Sequence, residues 1–322
     1  MGNPLVSAII VTYNRADIVV RCIESLLKQT YGNMEIIVVD NHSTDNSIDL
    51  INEFCRDNQV GDIVRIVALK ENLMNAGGRN VGIQNAKGSY LLFVDSDNVL
   101  DKNAVQIMLR DLLDNKRIAS VTALTIQNDD RSEQQLCRNI SLYTSKASSK
   151  TCNYMEDTID EFVYTQCCEN VFMVRREVID MIGYFDKSYY IMYEEADFCE
   201  RIRRKGYQHI TEPKARTIHY RAKGHDEQSE LRALGIGFPA RAFYFARNRT
   251  VYMRKYANVF GKILYYLLFQ HLFMCYYCMK AVKYKRFDIA KEYLRGYLKS
   301  MFMKINKNDY VSFDGEANYN GN

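Results

Sequence analysis

Apolar positions in the first hundred residues alternate between two patterns. Leu5–Thr12 is a β-branched apolar run, which reads as a buried strand. Asn14 then stands where a helix cap is expected, and Val19, Cys22, Ile23, Leu26 and Leu27 recur at helical spacing behind it. The sequence repeats this arrangement. Glu35–Asp40 is a second buried strand, and Ser43 and Asp45 open a helix carrying Ile48, Ile51 and Phe54. Ile63–Leu69 is a third strand, a glycine-bearing turn at Gly77–Gly78 leads into a short helix through Ile83, and Tyr90–Val94 is a fourth strand ending on Asp95-Ser96-Asp97. Such alternation predicts an α/β fold with a mostly parallel central sheet, helices on both faces, and ligands at the carboxyl ends of the strands.

Beyond Asp101 the pattern loosens. It predicts a helix over Asp101–Asn115, a strand over Ala119–Ile126, and a polar, poorly patterned loop region over 127–162. A strand at Cys168–Val174, a helix near Glu177–Ile182, a helix over Glu194–Lys205 closed by Gly206, and a short strand at Arg216–Tyr220 follow. After Arg241 the chain turns helical, basic and rich in Tyr and Phe.

Charge sharpens this division. Residues 241–310 hold 15 Lys/Arg against 3 Asp/Glu, whereas the rest of the chain holds 28 against 36. The net charge of +4 is too small to point to nucleic acid as a partner. The odd number of cysteines, 9, at irregular spacing, reads as reduced buried thiols, with Cys22, Cys55 and Cys199 inside apolar helical patterns. Cys275 and Cys278 form a C-x-x-C without a second Cys or His pair, a weak metal signal. The start, Met-Gly-Asn-Pro, carries no basic segment or cleavage pattern, so a cytoplasmic location is expected, and the sequons at Asn139 and Asn248 carry little weight.

Two common nucleotide motifs are excluded. Thr12-Tyr13-Asn14-Arg15 follows the first strand without a glycine, and no G-x-x-x-x-G-K-[ST] occurs anywhere. Polar groups at strand ends remain. Asp95 and Asp97, one residue apart at a strand terminus, point in similar directions and make a hard oxygen site suited to Mg²⁺ or Mn²⁺. The same Asp-Ser-Asp would also serve to cap a following helix.

Val-Thr-Tyr-Asn ending one strand, Val-Val-Asp with Ser43 and Asp45 ending the next, Gly78-Arg79-Asn80-Val81-Gly82, and Phe-Val-Asp-Ser-Asp, in that order, resemble the family 2 glycosyltransferases of the GT-A fold. Tyr193-Glu194-Glu195-Ala196-Asp197-Phe198 resembles the acidic acceptor-side motif of that family, usually Glu-Asp-x-Asp. The likeness covers about residues 5–220 and favours the rhamnosyltransferase-like, single-addition type. It implies a catalytic domain over 1–240, with a nucleotide-binding half at 5–100 and an acceptor-binding half at 101–240, then a basic aromatic helical extension at 241–310 and a flexible tail at 311–322.

The resemblance also implies roles. Thr12 and Tyr13 would contact base and ribose, Asn14 would shape the turn, and Asp40 would bond the base edge, suiting uracil or thymine. Arg79 would meet the diphosphate or the sugar, Asp95 and Ser96 would face the nucleotide sugar, and Asp97 and His219 would ligate the metal. Glu195, in place of the usual Asp, would be the general base, with Glu194 and Asp197 beside it on the acceptor side. The expected reaction is metal-dependent, inverting transfer of one hexosyl or deoxyhexosyl unit from a UDP- or dTDP-sugar to a saccharide or polyprenyl-linked saccharide. A processive synthase is disfavoured, because the chain has no Trp for a Q-x-x-R-W motif. A silent nucleotide-sugar-binding scaffold and a nucleotidyltransferase are the alternatives, although the latter's Gly-rich basic signature is absent.

Ile263–Met279 carries no formal charge. At about 1.5 Å per residue it is short for a span, and its central Gln270 and His271 fit a helix lying in a membrane interface. Flanking Arg247, Arg249, Arg254, Lys255, Lys283, Lys285 and Arg286 would meet anionic headgroups at the inner face of the cell membrane. Soluble packing or a homodimer contact is the other use for such a helix.

Overall fold

The structure is a computed structural model that describes residues 2–127, 133–153, 159, 161–220 and 229–303. The expected tail at 311–322 lies outside the described residues. The amino-terminal part runs β1 (Val6–Thr12), α1 (Val19–Leu27), β2 (Met34–Asp40), α2 (Ser47–Asp57), β3 (Val64–Ala68), α3 (Met74–Asn85) and β4 (Tyr90–Asp95). Its four strands are parallel, in the order β3-β2-β1-β4, as the alternation predicts. Ile9, Ile37 and Phe93 point to one face and Ala8, Ile36 and Leu92 to the other, so apolar layers cover both sides.

Two local expectations change here. Asn14 does not cap α1. It sits at φ 51°, and its Oδ1 accepts from the Thr44 N–H at 2.8 Å, tying the β1–α1 loop to the β2–α2 loop. Gly77 and Gly78 lie inside α3 rather than in a turn before it. A Cβ at Gly82 would lie 2.2 Å from Ile9 Cγ2, and one at Gly78 2.7 Å from Val11 Cγ1. These glycines let α3 press directly on β1, which a propensity reading cannot distinguish from a turn.

The chain continues through β5 (Asn98–Leu100), α4 (Ala104–Asp114), β6 (Ile118–Gln127), β7 (Glu133–Ile140), β8 (Ala147–Asn153), β9 (Val163–Tyr164), β10 (Val171–Arg175), α5 (Arg176–Ile182), α6 (Glu194–Arg204) and β11 (Gln208–His219). β10 joins β4 antiparallel, and β6, β11 and β5 extend the sheet beyond it, so the second half is mixed. Part of the expected loop region is an antiparallel hairpin, β7–β8. β8 reads Ala-Ser-Ser-Lys-Thr-Cys-Asn and shows almost no apolar alternation, so the sequence pattern does not reveal it. β11 begins well before Arg216. Its register shifts between Glu212 and Arg216, around Pro213, which breaks the sequence pattern there.

The remaining elements are α7 (Ser229–Ala233), α8 (Pro239–Tyr256), α9 (Val259–Leu264), a π-helical turn (Tyr265–Phe269), α10 (Gln270–Lys283) and α11 (Phe287–Phe302). Ala242, Ala246, Tyr277, Ile289 and Tyr293 form the core that packs α8, α10 and α11 together. Several cations expected at a membrane are consumed inside this assembly. Arg247, Arg249 and Lys255 are buried, because they hold the chain ahead of α6 in place. Arg254 donates to the Met303 carbonyl at 2.6 Å. Lys283 and Lys285 remain exposed.

Candidate active site

The carboxyl ends of β1, β2 and β4 define the cleft. Thr12 and Asp40 are buried there, and Thr12 Oγ1 and Asp40 Oδ1 have no hydrogen-bond partner among the described residues. The other Asp40 oxygen accepts from the Ser43 N–H at 3.0 Å. Tyr13 projects outward, 45% exposed. The loop beneath it is cross-tied: Asn14 N–H donates to Ser43 Oγ at 2.9 Å and Ala16 N–H to Asp45 Oδ2 at 3.2 Å.

At the end of β4 the chain enters β5, not a helix, and α4 starts only at Ala104. The helix-cap reading of Asp95-Ser96-Asp97 is therefore overturned. Ser96 is buried between the two carboxylates. Asp97 Oδ2 lies 3.3 Å from His219 Nε2 and 3.5 Å from Arg15 Nη2. The far ring nitrogen, His219 Nδ1, meets Gln127 Oε1 at 2.9 Å, which orients the imidazole toward Asp97. Burial works against the Asp97 charge, but the His219 contact and Arg15 outweigh it and hold the carboxyl below its ordinary range. Burial pushes Asp95 the other way, to about 6, against the pull of Arg79 and with Asp97 and Glu195 adding to it.

Arg79 bridges the two acidic motifs. From α3 its guanidinium reaches Asp95 Oδ1 at 3.0 Å and Glu195 Oε1 at 2.6 Å, and it lies 5.6 Å from the Phe172 ring and 5.5 Å from the Phe185 ring. It is 3% exposed, so it is a buried clamp between carboxylates rather than a free cation.

The acidic start of α6 separates by face. Glu195 is partly exposed to the cleft. Glu194 is buried, its Oε2 is unpaired, and burial, with Glu195 next, lifts its carboxyl well above the ordinary range. Asp197, expected on the acceptor side, instead points inward. It is 0% exposed, bonded to Arg201 at 3.0 Å, Lys255 at 3.1 Å and the Tyr256 hydroxyl at 2.7 Å. Its role is to fasten α6 to α8.

Sequence reasoning did not single out Arg15, Gln127, Lys255 or Asn248 for this work. Tyr190, Met192 and Tyr193, just before α6, all have positive φ, at 61°, 70° and 72°. Such strain persists only where neighbours enforce it. The Asn248 amide does so, reaching the carbonyls of Tyr189, Ile191 and Met192 at 2.8 Å each. Its burial also removes it as a glycosylation acceptor.

Glu195 also borders a second space, a cavity of about 600 Å³ between the β7–β8 hairpin and the carboxy-terminal helices. Tyr193, Phe273 and Tyr277 supply apolar walls, and Arg138, Lys146 and Arg249 supply positive charge.

Strand-end carboxylates on one side of an arginine clamp and a partly exposed glutamate beside a cavity on the other, carried on this sheet, define a GT-A-fold protein of the nucleotide-sugar transferase class. The chain belongs to glycosyl transferase family 2, whose family model matches residues 7–183. It is 35% identical over 132 residues to the glycosyltransferase GlyG of Streptococcus pneumoniae, covering 41% of this chain and 42% of that one. It is 44% identical over 96 residues to the Escherichia coli UDP-Glc:α-D-GlcNAc-diphosphoundecaprenol β-1,3-glucosyltransferase WfaP, covering 29% of this chain and 36% of that one. The chain thus spans less than half the length of these curated relatives. In fold it is similar to the mannosyltransferase PcManGT of Pyrobaculum calidifontis, solved with GDP-Man and Mn²⁺, at a TM-score of 0.59 and 15% identity over 95% of this chain and 89% of that one.

Proposed function

We propose that this chain is a metal-dependent, inverting glycosyltransferase that moves one sugar from a nucleotide-sugar donor to a saccharide acceptor. The observation that carries the reading is the Arg79 fork from Asp95 to Glu195, with Asp97 paired to His219 two residues beyond Asp95, which sets a cation-suited strand end beside a candidate base. Thr12 and Asp40 offer unpaired buried acceptors where a base edge would sit, and a carboxylate accepting an imide N–H suits a UDP or dTDP donor.

Mg²⁺ or Mn²⁺ fits the donor set of Asp97 and His219, a carboxylate oxygen and an imidazole nitrogen converging on one point. When bound there, the ion would supply Lewis-acid neutralisation of the departing diphosphate. The residues perform the rest. Glu195 takes the proton of the acceptor hydroxyl as that oxygen attacks the anomeric carbon and the bond to the diphosphate oxygen breaks. Arg79 holds the Glu195 carboxylate in position and ties it to Asp95. A single base and direct displacement give inversion at the sugar carbon.

A polyprenyl-linked saccharide is the acceptor we favour. The cavity beside Glu195 is walled by Phe269, Leu272 and Phe273, and this wall continues to the exposed apolar residues Phe260, Ile263, Leu267 and Met279 on α9–α10. The helix over Val259–Lys283 is long and apolar enough to cross a membrane, at mean hydropathy 1.2, yet buried Gln270 packs one side of it on Thr250 and Ser300. That arrangement suits a helix lying on an anionic membrane surface at the cytoplasmic face. The test is a panel of nucleotide sugars screened by thermal shift, with Mn²⁺ and with chelator. Stabilisation by a UDP- or dTDP-sugar that needs the cation supports the reading. Indifference to every donor contradicts it.

A further inference from the structure

Behind α6 lies a second convergence of ligating atoms that the transfer reaction does not use. Cys168 precedes β10, Cys199 is on α6, His209 is on β11 and Ser120 is on β6. All four are buried, at 5%, 0%, 2% and 0% exposure. Cys168 Sγ lies 3.1 Å from Cys199 Sγ, 3.2 Å from Ser120 Oγ and 4.0 Å from His209 Nδ1. The ligand atoms of Cys168, Cys199 and His209 all lie within 4.8 Å of one another.

The histidine is the informative member. Its Nε2–H donates to the Cys199 carbonyl at 3.0 Å, so Nδ1 carries the lone pair. Among the described residues, the only partner of that buried lone pair is the long contact to Cys168 Sγ. A ring pinned by a backbone carbonyl at one nitrogen, with the other free toward two sulfurs, is the arrangement of a metal-bound histidine. Tetrahedral zinc would need edges of about 3.8 Å between sulfurs and about 3.5 Å from sulfur to nitrogen or oxygen. The three separations from Cys168 differ from those by about 0.7 Å or less, and the Cys199 and His209 ligand atoms lie within 4.8 Å of each other.

We propose that Cys168, Cys199 and His209, with the Ser120 hydroxyl as a weak fourth donor, form a buried site for a thiophilic divalent cation, zinc first. This site is separate from the Asp97–His219 pair and does not depend on the donor reading above. Binding releases the two thiol protons, and two thiolates then balance the ion's charge, which makes burial tolerable. Cys168 also lines the cavity beside Glu195, which provides an entry path. Cys199 follows Glu195 by one helical turn, so the ion would bolt the helix carrying the candidate base to β6 and β11. A disulfide accounts for less. It requires the sulfurs to close by about 1 Å and leaves the Nδ1 lone pair facing nothing.

The experiment is cobalt titration of the full chain, purified under reductant and stripped of metal, followed by absorption spectroscopy. Expected is a thiolate-to-cobalt charge-transfer band that saturates near one equivalent, persists in Asp97→Ala, is displaced by zinc, and is lost in Cys199→Ser. Asp97 and His219 offer no sulfur, so cobalt bound there gives no such band. Absence of the band in the wild-type protein overturns the proposal, as does its survival in Cys199→Ser. Should Cys199→Ser not fold, alkylation of the wild-type thiols decides. Zinc-loaded protein is expected to protect Cys168 and Cys199 until chelator is added, and equal labelling with and without zinc, or recovery of the pair as a disulfide, contradicts the site.

Discussion

The guanidinium of Arg79 donates to the Glu195 carboxylate at 2.6 Å, joining two residues 116 positions apart in the chain. Its other arm holds Asp95. One buried fork therefore sets the distance between the strand-end acids and the candidate base, and α3 reaches both because its glycines let it lie against β1.

Arg79→Lys tests that fork. A single ammonium on a shorter head cannot hold both carboxylates. The variant is expected to fold and to bind donor, with kcat lowered roughly 10- to 100-fold and KM changed much less. Steady-state kinetics with varied donor checks this. Wild-type kcat in the lysine variant would show that Arg79 does not position Glu195.

Gly82→Ala tests the close approach of α3. The added Cβ would meet Ile9 Cγ2 at 2.2 Å, within the buried layer between helix and sheet. Overpacking of this kind costs about 1–3 kcal/mol, read by urea denaturation. Transfer is expected to fall as well, because α3 carries Arg79.

A titration prediction comes from the back of the sheet. Burial and then the neighbouring Glu212 raise the Asp111 carboxyl to about 7. Its value in the unfolded chain is about 4. The folded state therefore holds the proton more tightly, and the stability this contributes is fully present below about pH 4 and lost as the pH rises through 7. Asp111→Asn is expected to flatten the fall in stability between acid and neutral pH. Denaturation curves at several pH values check it, and an unchanged slope contradicts the assignment.

Membrane attachment has its own test. Leu267 is 77% exposed on the apolar helix over Val259–Lys283. Leu267→Asp is expected to abolish flotation with anionic vesicles, and a Lys283→Glu, Lys285→Glu double variant to weaken it at low salt. Flotation of both variants equal to wild type would remove the surface reading.

Much of the amino-terminal half was legible because buried parallel strands are continuous apolar runs that end abruptly on polar residues. Val-Val-Asp and Phe-Val-Asp-Ser-Asp announce both a strand and its functional end. Long-range partners left no such trace. Glu194, Glu195 and Asp197 look alike in sequence, and only Lys255 and Tyr256, nearly sixty residues away, show that Asp197 is structural. The basic extension misled for the same reason: composition counts Arg247, Arg249 and Lys255 as surface charge, whereas they are buried around the loop before α6. The β7–β8 hairpin escaped because a Ser- and Thr-rich strand carries no apolar alternation.

Glu195→Gln bears most directly on the central claim, since the amide keeps the shape of the side chain and loses the proton acceptor. Donor binding by calorimetry with Mn²⁺ and product formation should be measured on the same preparation. The account predicts donor affinity close to wild type and transfer reduced about 10²- to 10⁴-fold. Transfer at the wild-type rate by Glu195→Gln would contradict it.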